Sequence, residues 1–173
     1  MAASEDHLKL IIQRFDTYIV NANTKGAFLL AFNTFLCGGL LSNYQTLKTI
    51  VRPCLEIYMQ IALLIIFVMG IVSLIIVLLA VYPFLSSGNS SKDKYHSLIY
   101  FGSVSEFNNA EEYADKLQEQ EKLDSYKDLA HQIYQLAKGL KKKYLYLEWA
   151  TISIFIQLFI VAVIIGFVTF NNL

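Results

Sequence analysis

Two hydrophobic patterns follow one another near the end of the chain, and together they predict its main element. From Tyr126 to Trp149 apolar residues recur in steps of three and four: Tyr126, Leu129, Ile133, Leu136, Leu140, Tyr144 and Leu147. Lys127, Asp128, His131, Gln132 and Gln135 lie between them, the arrangement of an amphipathic helix with a packing seam. From Thr151 to Phe170 the polar face disappears, and Ile152, Phe155, Leu158, Phe159, Val161 and Ile164 cover every side. A helix apolar all round for about 20 residues is long enough to cross a bilayer. Lys141, Lys142 and Lys143 with Tyr144, Tyr146 and Trp149 separate the two patterns, as a cationic collar and aromatic belt do at a water–membrane boundary. One long helix, continuous into the membrane, is predicted, with residues 151–170 as its span.

The upstream chain repeats these patterns. Residues 1–23 predict an amphipathic helix, with Ser4 as N-cap, Glu5 and Asp6 in the first turn, and Leu8, Ile11, Ile12, Phe15, Ile19 and Ala22 as its stripe. Its polar face is mixed in sign, which favours packing on another helix over lying on lipid. Asn23-Thr24-Lys25-Gly26 reads as a polar break. Residues 27–44 then form a first span at the lower limit of length, holding Asn33 and Gly38-Gly39. A loop over Ser42–Pro53 leads to a second span over 55–85, where Ser73 is the only polar side chain between Ile61 and Val81. Pro83 and the Ser86–Ser91 run, read as a flexible linker, stop it.

Residues 92–149 are polar. Leu98–Gly102 is a short apolar run, a strand or a packed loop. Asn108 with Glu111 reads as the cap of a short acidic helix ending near Lys122, and Asp124 or Ser125 as the cap of the last helix. The expected fold is an all-α membrane protein with three transmembrane helices and a small cytoplasmic helical bundle, the last helix running from one into the other. Nine lysines lie from Lys92 to Lys143, against Lys48 and Arg52 in the loop between the first two spans. The positive-inside rule therefore puts the N-terminus and residues 86–150 in the cytoplasm.

Composition narrows the function. The 173 residues are 55% hydrophobic with mean hydropathy +0.46. Lys+Arg and Asp+Glu both number 14, so no basic field exists to hold a nucleic-acid polymer. Cys37 and Cys54 read as free thiols packed like small apolar residues. Glu5, Asp6, Lys9 and Arg14 near the start, with no short apolar core and cleavage site after them, speak against a secretory signal. His7, His96 and His131 stand far apart without partners at metal-ligand spacing, so neither a metal nor a cofactor is expected. No phosphate loop, G-x-S-x-G or H-E-x-x-H occurs, and the chain reads as a non-enzyme. Apart from Glu56 at the start of the second, the spans carry no Asp, Glu, Lys, Arg or His, which argues against an ion-coupled carrier. Asn33, Ser73 and Gln157 remain as membrane-interior polar residues. They read either as helix–helix glue or as the lining of a pore made by several copies.

Four stretches in order resemble the transmembrane effector family of the Pycsar anti-phage system (PycTM-like proteins). They are Asn23–Leu30; Ser97-Leu98-Ile99-Tyr100-Phe101-Gly102-Ser103-Val104; Glu112-Tyr113 with Leu117; and Asp128–Ala137 followed by Lys143-Tyr144. In the first, Asn23 stands where the family pattern has Asp, and Gly26 where it has Ala. The resemblance implies a homo-oligomeric effector in the bacterial inner membrane. A cyclic nucleotide, cyclic CMP or cyclic UMP, is sensed by the cytoplasmic helices, and the membrane part then breaches the bilayer and arrests growth or kills the cell. Such a ligand needs a cation, an aromatic face and hydrogen-bonding partners for its base. Lys25, Lys94 and Lys143, Tyr100, Phe101, Tyr134 and Tyr144, and His131 and Gln132 are the residues that could supply them. Each has an ordinary alternative, as an interfacial lysine or tyrosine or as bundle packing. Two rival functions remain open: a constitutive or protein-activated oligomeric pore, and a structural membrane scaffold.

Overall fold

The computed structural model describes residues 5–53, 55–83, 97–120 and 122–171. Among them every regular element is helical. In chain order they are α1 (Glu5–Ser42), α2 (Tyr44–Ile50), α3 (Glu56–Val81), α4 (Phe101–Val104), α5 (Ala110–Glu119) and α6 (Lys122–Asn171). Three of these, α1, α3 and α6, are long and apolar enough to cross a membrane. The all-α architecture with a long last helix is thus as the sequence predicts.

The boundaries differ in places, for local physical reasons. The polar break expected at Asn23–Gly26 is no break: α1 is one helix of 38 residues, because three polar residues and one glycine lower helix propensity without blocking a backbone hydrogen bond. The loop expected over Ser42–Pro53 contains α2. Leu98–Gly102 is no strand but a bend leading into α4, which opens at Phe101. The cap of α5 falls one residue later than expected: Asn109 Oδ1 accepts from Glu112 N at 2.7 Å, and Glu112 Oε2 accepts in return from Asn108 N at 3.2 Å. Helix α5 ends at Glu119, and α6 starts at Lys122, ahead of the expected caps Asp124 and Ser125. Ser4, Cys54, Lys94, His96 and the Ser86–Ser91 linker lie outside the described residues.

The chain divides into two compact units, with α1 and α6 contributing to both. The first unit comprises Met1–Asn21 and Pro83–Lys142; the second comprises Ala22–Tyr82 and Lys143–Leu173. In the second unit the buried positions are Ala22, Gly26 and Asn33 of α1, Met59, Ile66, Gly70, Ser73, Val77 and Ala80 of α3, and Lys143, Leu147, Ala150, Ile154 and Gln157 of α6. On α3 and α6 these recur in the three–four alternation of knobs-into-holes packing. Glycine is required at two of them. A Cβ on Gly26 would meet Val81 Cγ2 at 2.6 Å, and one on Gly70 would collide with Cys37 Sγ, so both let helices approach closely.

What faces outward is as telling. Phe28, Phe35, Phe155 and Phe159 are 67–79% exposed, whereas Asn33, Ser73 and Gln157 are at most 2% exposed. Large aromatics outside and polar groups inside suit a lipid solvent and would be costly in water. The protein is therefore a membrane protein.

Candidate functional site

In the second unit, α3 ends at Val81 because Pro83 cannot continue it. A helix terminus leaves carbonyls without partners. Lys143 supplies one. Its Nζ donates to Ala80 O at 2.7 Å, Val81 O at 3.2 Å and Tyr82 O at 3.2 Å, and to Asn23 Oδ1 at 3.1 Å. The side chain is buried, at the negative end of the α3 dipole. One ammonium thereby ties α1, α3 and α6 together. The acid that the family pattern puts at position 23 would give this cation a buried counter-charge; Asn23 keeps the hydrogen bond without the charge.

Deeper along the same seam lies a polar layer. Asn33 Nδ2 donates to Gly70 O at 2.8 Å, Ser73 Oγ to Ala150 O at 3.5 Å, and Gln157 Nε2 to Ser153 Oγ at 3.5 Å. Gln157 Oε1 is buried and accepts from no donor among the described residues.

In the first unit, Asp128 near the start of α6 is fully buried. Its carboxylate accepts from Ser97 Oγ at 2.7 Å and from Leu98 N at 2.9 Å. Ser97 Oγ in turn accepts from Ile99 N, Tyr100 N and Gln132 Nε2 at 3.0–3.2 Å. Tyr113 Oη of α5 donates to Leu98 O at 2.9 Å. The bend at 97–100 is therefore pinned by side chains, with α6 on one side and α5 on the other.

That pinning shapes a groove of about 630 Å³ between α1, the bend, α5 and α6, a size typical of small-molecule sites. Leu98, Ile99, Leu117 and Leu129 supply apolar wall. Lys9 and Gln13 of α1, Tyr113 and Gln120 add a cation, a phenol and two amides. Glu5 and Ser125 close one side, with Ser125 Oγ donating to Glu5 Oε1. Lys9 makes no ion pair among the described residues. A groove in which the described residues supply a cation, an aromatic ring and amides can hold an anion joined to a planar polar ring.

The residues expected from sequence divide between the two units. Tyr100, Phe101, His131, Gln132 and Tyr134 belong to the first; Lys25, Lys143 and Tyr144 belong to the second. Gln132 is tied to Ser97, the rings of Tyr100 and Phe101 pack 4.8 Å apart, and Lys138 sits 4.5 Å over the exposed Tyr134 ring. Lys25 stands 5.7 Å over the Tyr144 ring, and Lys143 is engaged with the carbonyls of Ala80, Val81 and Tyr82 and with Asn23. None of these lines the groove. Its polar residues escaped the sequence reading, although Glu5, Lys9 and Gln13 follow one another at intervals of four on α1, and so share one face.

The Pycsar effector protein domain family matches the chain over residues 7–170. No curated protein and no solved structure matches.

Proposed function

This chain belongs to the Pycsar effector family, and from that premise we propose that it senses a cyclic nucleotide in the first-unit groove and then breaches the membrane. Membership makes it an anti-phage membrane effector; the finer reading is ours. The messenger is cyclic CMP or cyclic UMP, its phosphate on Lys9, its base against Tyr113 and its base edge on Gln13 and Gln120. The membrane is the bacterial inner membrane, with the groove on the cytoplasmic side, and the working form is a homo-oligomer.

The observation that carries this reading is that α1 and α6 each line the groove and each also belong to the membrane-type unit. A ligand can shift a conformational equilibrium only by the difference between its affinities for the two states. A messenger gripping α1, α5 and α6 at once favours the arrangement in which those grips are simultaneous. Because α1 and α6 are unbroken helices of 38 and 50 residues, a change in their mutual placement carries along their own length.

The test is calorimetric titration of the purified full chain with cyclic CMP and cyclic UMP. Lys9→Glu replaces the phosphate's partner with a repelling charge, and binding is expected to weaken at least about tenfold, the loss of one charge-assisted hydrogen bond. Tyr113→Ala should weaken it as well. Wild-type affinity in both variants would place the messenger elsewhere.

A further inference from the structure

In the polar layer of the second unit, two amide oxygens lack a strong donor among the described residues. A Cβ built on Gly70 would stand 3.6 Å from Asn33 Oδ1 and 3.7 Å from Gln157 Oε1, so two amide oxygens converge on one glycine. Among the described residues Asn33 Oδ1 receives only the weak thiol donor of Cys37, at 3.9 Å. Gln157 Oε1 receives none among the described residues. The amide nitrogens point elsewhere, donating to Gly70 O and to Ser153 Oγ. Both side chains are essentially inaccessible, Asn33 at 2% and Gln157 at 0% exposure.

An orphaned amide oxygen among hydrocarbon is costly, and leucine would fit a helix seam there without that cost. Packing alone does not account for it. Residues 27–41, 57–81 and 149–170 hold no Asp, Glu, Lys, Arg or His. Whatever crosses at this depth therefore meets dipoles and no formal charge. Oxygen dipoles that converge without compensating donors replace part of a cation's hydration shell and repel an anion.

We propose that Asn33 and Gln157, brought together across Gly70, form the cation-selecting constriction of the path this effector opens. The ligand class is a small monovalent cation such as potassium or sodium. The proposal rests on the reading above that the protein permeabilises a membrane. Parting α3 from α1 and α6 at this layer would present both oxygens to the path, and the orphaned oxygen of Gln157 gives that parting a partner to gain in place of one to lose. Ser73, bonded to Ala150 O one turn along α3, extends the polar lining.

The test uses the full-length protein in planar bilayers under a potassium chloride gradient, with cyclic CMP or cyclic UMP added. Wild-type current is expected to reverse on the potassium side. Gln157→Leu should cut the conductance several-fold without changing the nucleotide concentration for half-activation, and Gln157→Lys should move the reversal toward chloride. Current without cation preference, or a reversal indifferent to Gln157→Lys, overturns the proposal. If neither nucleotide elicits current, the reading under Proposed function fails, and the constriction is judged separately by melting the full chain in detergent. Gln157→Leu, freed of the orphaned oxygen, should then melt about 2–4 °C higher. An unchanged or lower melting temperature would mean that the oxygen already has its donor, and would overturn the site.

Discussion

Replacing Lys143 by Met separates two roles for this residue. Methionine has similar length and no donor, so the change removes one cation and leaves Ala80, Val81 and Tyr82 carbonyls and Asn23 Oδ1 without it. Hydrogen bonds to charged groups contribute about 1.5–3 kcal/mol each. An ammonium has three protons, and their contribution is offset by several kcal/mol for burying the charge. The net loss is about 3 kcal/mol. For a chain of 173 residues, each kcal/mol moves the melting temperature by about 2–4 °C, giving a fall of about 6–12 °C. The single Trp149, half a turn past the seam residue Leu147, is the natural fluorescence probe for thermal unfolding in detergent. Asn23→Asp should act in the opposite sense, since it brings a carboxylate to a buried cation, and its gain should vanish in the Lys143→Met background. A double-mutant cycle measures that coupling directly. A Lys143→Met protein that melts like wild type but no longer binds cyclic CMP or cyclic UMP would refute the helix-clasp role and return Lys143 to the ligand.

Two further perturbations follow from the same geometry. Asp128→Asn turns an NH₂ toward Ser97 Oγ or Leu98 N, costing about 2 kcal/mol. Hydrogen exchange at Leu98, Ile99 and Tyr100 should accelerate while exchange in α3 stays unchanged. Gly26→Ala, the residue of the family pattern, puts a methyl 2.6 Å from Val81 Cγ2. Overpacking of this kind costs about 1–3 kcal/mol, seen as a lower melting temperature that the double variant Gly26→Ala, Val81→Ala should largely recover.

The spans and the long last helix were legible because their signal is local: hydropathy over about 20 residues and a three–four repeat need no knowledge of neighbours. The resemblance worked in the same way, and the structure adds that two of its stretches touch, Ser97 and Leu98 bonding to Asp128, and Ser97 also to Gln132. What escaped depends on non-local packing. Lys143 looks like any interfacial lysine until the carbonyls at the end of α3 are brought beside it; the one hint was Pro83, which ends α3 and leaves those carbonyls needing donors. Asn23–Gly26 looked like a break because polar residues and glycine also make turns, and only the fit of Gly26 against Val81 and of Asn23 against Lys143 shows why they sit in a helix. The groove was the least legible feature. Lys9, Tyr113 and Ser125 lie far apart in the chain, and no spacing rule joins them.

Dye release from liposomes tests the central claim most directly. The purified full-length chain, shown to be inserted and folded, is reconstituted and exposed in turn to cyclic CMP, cyclic UMP, cyclic AMP and cyclic oligonucleotides. Release is expected with cyclic CMP or cyclic UMP alone, and is expected to be lost in Lys9→Glu. Equal release without any nucleotide, or none with any of them, would contradict a messenger-gated membrane effector.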